Sequence, residues 1–157
     1  HYLLSSKLHE EPALLKHTLI KIPDPNFRFE VLNLRNKDKK TPLHNQKWDS
    51  DNSQVLDAML GSLNSKEKCY ELLATQDNLG QTPLFFYDSS TSLAVLGTVE
   101  HEDVVKLVEK QDNDGKTILH LIGCLELGDI DALPHCGSGW TNKDFKQLLT
   151  MLRSKNK

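Results

Sequence analysis

The chain has 157 residues, of which 38% are hydrophobic and 26% charged, with 19 Lys and Arg against 22 Asp and Glu. That length fits one domain, and the near-balance of charge gives no electrostatic case for nucleic acid or an anionic membrane. Cys69, Cys124 and Cys136 make a poor disulfide scaffold and fit a reducing compartment, and no apolar run approaches the roughly 20 residues that span a bilayer.

The chain begins at His1 rather than Met, which points to an excised fragment or a processed product. Leu3, Leu4, Leu8, Leu14, Leu15 and Leu19 recur between polar residues. They predict one short helix near 2–9 and another near 12–21, the second opened by Pro12, whose missing N–H costs nothing in a first turn. Pro23-Asp24-Pro25 ends it. Phe27, Phe29 and Val31 alternate as a strand would, but Phe27, Val31 and Leu34 also fall at helical spacing, and a helix is the expectation.

A phrase then repeats. Lys40-Thr41-Pro42-Leu43-His44 returns as Gln81-Thr82-Pro83-Leu84-Phe85 and as Lys116-Thr117-Ile118-Leu119-His120, starts at 40, 81 and 116 being 41 and then 35 residues apart. Each copy follows an acidic or Asn turn, and the later two carry Gly80 and Gly115 at the same offset. A period of this size marks a stacked-repeat protein. In the first unit Val55, Leu56, Met59, Leu60 and Leu63 have helical spacing, as do Cys69, Leu72 and Leu73 behind an N-cap at Ser65. The turn-forming stretch Asp49–Ser53 holds that unit's extra residues. In the second, Val104, Val105, Leu107 and Val108 follow the acidic opening His101-Glu102-Asp103. The third starts at Asp112, with a helix over 118–126 and a last helix from Asn142 or Lys143 to Leu152. Between them Gly128–Thr141 reads as an insertion, of which Leu133–Trp140 either caps the stack or binds.

On these motifs the chain resembles the ankyrin-repeat family, most closely from Asn36 to Ile122. The resemblance implies an all-α solenoid of stacked antiparallel helix pairs joined by tight turns, with residues 1–35 as a helical cap or divergent repeat and 36–157 as three degenerate repeats. Gly80 and Gly115 would take positive φ, Thr82 and Thr117 would cap an inner helix, and Leu43, Leu84 and Leu119 would point into the stack. His44 and His120 look like the family's bracing imidazoles, which tie one unit's turn to the next. The sequence departs from the family where Lys39 takes the glycine position, Phe85 the bracing His and Ile118 the Pro. A distorted or strained first turn is expected at Lys39.

The family grips protein partners with turn tips and inner helices. Carried onto this sequence, those positions are Lys37, Asp38, Lys40, Trp48 and Asp49, then Asn78, Leu79, Gln81 and Ser89, then Asn113, Asp114, Lys116, Cys124 and Leu125. Trp48 either contacts a partner or packs against Asp49–Ser53, Tyr87 is exposed or wedged between units, and Leu79 is hard to bury at a turn tip. The expected function is therefore non-catalytic presentation of a surface to a protein or peptide, with no cofactor, nucleic acid or membrane insertion. Irregular repeats of this kind look like those of bacterial or viral proteins that act on host cells, and of multidomain cytosolic proteins. A structural spacer, or the substrate-recruiting region of an enzyme, is the alternative. His120, Cys124, His135 and Cys136 are the only metal-ligand grouping, and it lacks a Cys-X-X-Cys pair. No phosphate loop or nucleophile-base spacing is present. The basic cluster Lys37, Lys39, Lys40 and Lys47 reads as a solvated turn or a patch for an acidic partner.

Overall fold

The computed structural model describes residues 17–45, 53–123 and 141–153. The helix expected near 2–9, Trp48, Asp49, Cys124, Leu125 and the insertion through Trp140 lie outside those residues. Among the described residues the fold is all-α, without a strand, and no helix is long and apolar enough to cross a membrane.

Residues 17–20 are helical, and the chain turns at Lys21 before α1 (Pro25–Leu32). The Asp24 carboxylate accepts the Asn26 N–H at 2.9 Å and Pro25 supplies a preset φ, so the helical spacing wins over the strand-like alternation of Phe27, Phe29 and Val31. Leu19 and Leu32 reach the core, while Phe27 stays half exposed. Arg28 fastens this segment to the next, its Nε donating to the Ile22 carbonyl at 2.6 Å and a terminal nitrogen to that of Ser62 at 2.7 Å.

Among the described residues eight further elements follow, in three stretches of chain. The first comprises α2 (Pro42–Asn45), α3 (Ser53–Gly61) and α4 (Lys66–Ala74). The second is a 3-10 turn, η1 (Pro83–Phe86), then α5 (Ser89–Leu96) and α6 (His101–Glu109). The last holds α7 (Ile118–Gly123) and α8 (Asn142–Arg153). Ser65 caps α4 as expected, accepting the Lys68 N–H at 3.2 Å. η1 lies between α2 and α7, α5 between α3 and α8, and α6 against α4, while α8 packs on α6 as well as on α5. One apolar cluster runs through them from Leu19 to Leu148.

The resemblance implied a single inner helix after Thr82, and here the structure differs. The first turn stops at Phe86 as a 3-10 segment, Tyr87 takes an extended ψ of 149°, and the chain restarts because the Asp88 carboxylate accepts the Thr91 N–H at 2.7 Å. Tyr87 itself is wedged inward and buried. The restarted α5, sandwiched between two helices, buries Ser89, Thr91 and Ser92 along with Leu93, Val95 and Leu96. Leu43 and Leu84 point inward as expected, but Leu119 does not. It is 37% exposed, and Ile118 beside it is buried instead. Leu43 and Leu84 each have a following element of their row against them, whereas α7 is the last of that row among the described residues.

Candidate functional site

Three turns of one shape stand side by side, and their form follows from one residue in each. The Asn36 side-chain oxygen accepts the N–H groups of Asp38 and Lys40, both at 2.9 Å. Asp77 does the same for Leu79 and Gln81 at 2.9 and 3.0 Å, and Asp112 for Asp114 and Lys116 at 3.0 and 2.8 Å. Such self-bonding is the reason Asn and Asp open turns. A backbone bond closes each loop, from the N–H of Asn36, Asp77 and Asp112 to the carbonyl of Lys40, Gln81 and Lys116. The fourth position must then take positive φ, which Gly80 and Gly115 do at 77°. Lys39 is held at 59° with the same bonds around it, so the first turn is strained but undistorted, at a cost of about 1 kcal/mol.

The turns are also bonded to one another. Asn78 N–H donates to the Asp38 carbonyl at 2.9 Å, and Asn113 N–H to that of Leu79 at 3.0 Å. The Asn78 and Asn113 side-chain amides repeat this one residue back, onto the carbonyls of Lys37 and Asn78, at 3.3 and 3.0 Å. Behind the tips, His44 Nδ1 accepts from the Thr41 hydroxyl and N–H at 2.9 and 3.1 Å, which leaves its Nε2–H to donate to the Gln81 carbonyl at 3.1 Å. This is the brace expected of His44. His120 makes the same local bonds to Thr117, but among the described residues no group meets its Nε2. Phe85 offers no ring nitrogen to the Thr82 hydroxyl, which is buried, makes no cap bond to η1 and has no partner among the described residues.

The expected contact residues separate into three groups. Lys37, Asp38, Leu79 and Asp114 stand exposed along the row, as do Asn78 and Asn113, whose amides are committed to the neighbouring turn. Leu79 is 59% exposed at the tip of the middle turn. Lys40, Gln81 and Lys116 are partly covered. Lys40 Nζ sits 4.6 Å above the Phe86 ring and 4.0 Å from the Asp77 carboxylate, so it links the first turn to the second rather than standing free. Lys116 pairs with Asp114 at 3.7 Å.

Ser89 must be withdrawn from the contact set. It is buried, and its hydroxyl donates to Asp144 at 3.0 Å on α8, a helix the sequence pattern could not bring to that position. The contact of Lys40 with Phe86 was missed because it joins residues that lie 46 positions apart in different turns.

Among the described residues the row holds exposed side chains of mixed polarity. Cys69 is buried with its thiol donating to the Leu60 carbonyl at 3.3 Å, and burial pushes that thiol up from its ordinary value. Of the candidate metal ligands only His120 is among the described residues, where no three His, Cys, Asp or Glu side chains converge. Compared with known proteins, the chain matches no family model, no curated protein and no solved structure.

Two predictions follow from the turns. A Cβ on Gly80 would lie 2.6 Å from the Asn113 side chain and 2.8 Å from its backbone nitrogen, whereas one on Gly115 meets nothing within 4 Å. Gly115→Ala therefore costs only the left-handed backbone, about 1 kcal/mol, and Gly80→Ala about 2 to 4 kcal/mol in chemical denaturation, because it also pushes the turns apart. For His44, burial lowers the pKa, against the opposing pull of the Gln81 carbonyl and the Asp77 carboxylate. Above about pH 6.5 folded and unfolded imidazoles are both neutral and stability is full; below it the unfolded chain takes the proton first, so stability falls with acid. His44→Phe should flatten that slope when unfolding free energy is followed from neutral pH to about pH 5.

Proposed function

We propose that the chain is a non-catalytic protein-interaction module of ankyrin-like architecture, a short solenoid of degenerate helix–turn–helix units that holds out its turn tips to a protein or peptide. Three turns with the same internal bonds, the two Thr-X-X-His pairs and the packing of η1, α5 and α6 on elements of the neighbouring stretches support this reading. In it, residues 1–35 serve as a helical cap or divergent repeat, residues 36–157 carry the repeats, and the module works in a reducing intracellular compartment.

The observation that carries the binding role is Leu79. A large apolar side chain stands 59% exposed on a backbone bonded on both sides to its neighbours, through Asn78 N–H to one turn and its own carbonyl to the other. An apolar anchor on a preorganised loop loses little freedom when a partner docks, which is where binding energy concentrates. Lys37, Asp38, Asn113 and Asp114 surround it as a polar rim.

Capture of partners from cell lysate by the wild-type chain and by Leu79→Ala tests the reading. Thermal unfolding of the two should agree, since the side chain is exposed. A protein retained by the wild type and lost about tenfold or more by the variant, equivalent to at least about 1.4 kcal/mol, is the expected result. Equal recovery would move the contact away from the turn row, and no partner at all would favour a spacer.

A further inference from the structure

The turn row is chemically graded. Arg35, Lys37, Lys39 and Lys40 fall within six residues against the single acid Asp38, in a chain whose net charge is -3. Arg35, Lys37 and Lys39 are exposed, and among the described residues none of their side chains has an ion-pair or hydrogen-bond partner. The middle turn offers Leu79 and Gln81 without charge at its surface, and the third closes its own pair between Asp114 and Lys116 at 3.7 Å. The bond from Asn78 N–H to the Asp38 carbonyl sets the basic turn directly beside Leu79.

We infer that the 35–40 turn and Leu79 form a two-part docking surface for an extended acidic peptide, its carboxylates on Arg35, Lys37 and Lys39 and an apolar side chain on Leu79. The inference rests on the interaction-module reading and names the partner's chemistry. Lys39 sharpens it. A cation stands at the one backbone position where the other two turns use glycine, held at a φ of 59°, so its side chain is kept at a conformational cost that glycine would remove. Stacked helical units lie about 8 to 10 Å apart, and extended chain advances about 3.3 Å per residue. The peptide therefore carries its acid about three residues from its apolar anchor. A nucleic acid fits less well, because a phosphate chain following the row would meet Asp38 and then Asp114, both exposed.

Selection of a displayed random-peptide library on the purified chain tests this. Enriched peptides should place Asp or Glu two to four residues from a bulky apolar residue. A fluorescein-labelled peptide of that pattern should bind more weakly at about 0.3 M salt than at low salt. Lys37→Glu should weaken it about fivefold to tenfold, and Lys39→Gly by a smaller factor while raising the midpoint of thermal unfolding. That opposition of sign separates a binding role for Lys39 from a structural one. Enrichment without acidic bias, indifference to Lys37→Glu, or tighter binding of a labelled single-stranded oligonucleotide would each overturn the inference. Peptides lost with Leu79→Ala yet indifferent to Lys37→Glu would sink the acidic specificity and leave the interaction module standing. An empty selection joined to an empty lysate capture would remove both.

Discussion

A side-chain oxygen accepting two backbone N–H groups of its own turn, at Asn36, Asp77 and Asp112, is the interaction on which the surface of this chain depends. It gives the three turns one shape, and only turns of one shape can align the N–H of Asn78 with the Asp38 carbonyl and that of Asn113 with Leu79. The ladder in turn positions the Gln81 carbonyl where His44 reaches it across 3.1 Å. Each layer presupposes the one before. The helices behind provide the buried area, but the turns determine which side chains face outward and how firmly.

Rigidity and availability compete in this design. The amides of Asn78 and Asn113 and the ammonium of Lys40 lie at the surface, yet they are spent on joining one turn to the next. Polar side chains committed in this way contribute shape rather than contact energy. Among the described residues of the row, what remains free is Leu79 at the centre and, at one end, the cations of the first turn with Asp38 between them. A surface with one apolar anchor and one charged flank favours a ligand that presents two features in a set order, and discriminates by their spacing.

Much of this could be read from residues alone, and the divide is between local and long-range causes. The positive φ of Gly80 and Gly115 and the cap at Ser65 depend on neighbours within four residues, so their structures match the reading. The exposure of Leu79 was legible for the same reason, a tight turn having no interior. Ser89 was misread because its burial is made by α8, more than fifty residues on, through Asp144. Leu119 was misread because pointing into a stack requires a next element to point at, and position in a row is not a property of the residue. The break at Tyr87 lay in between: Asp88 followed by Ser89-Ser90-Thr91 is a helix-start signal, overshadowed by the strength of the preceding Thr-Pro-Leu.

The central claim, that the turns form one hydrogen-bonded row rather than three independent loops, is tested most directly by amide hydrogen exchange of Asn78 and Asn113. Both residues are exposed, so loops without a ladder would exchange their amides as fast as free chain. The account predicts strong protection of both, approaching that of the core helices and lost together when Gly80→Ala separates the turns. Rapid exchange at either amide in the intact protein would contradict it.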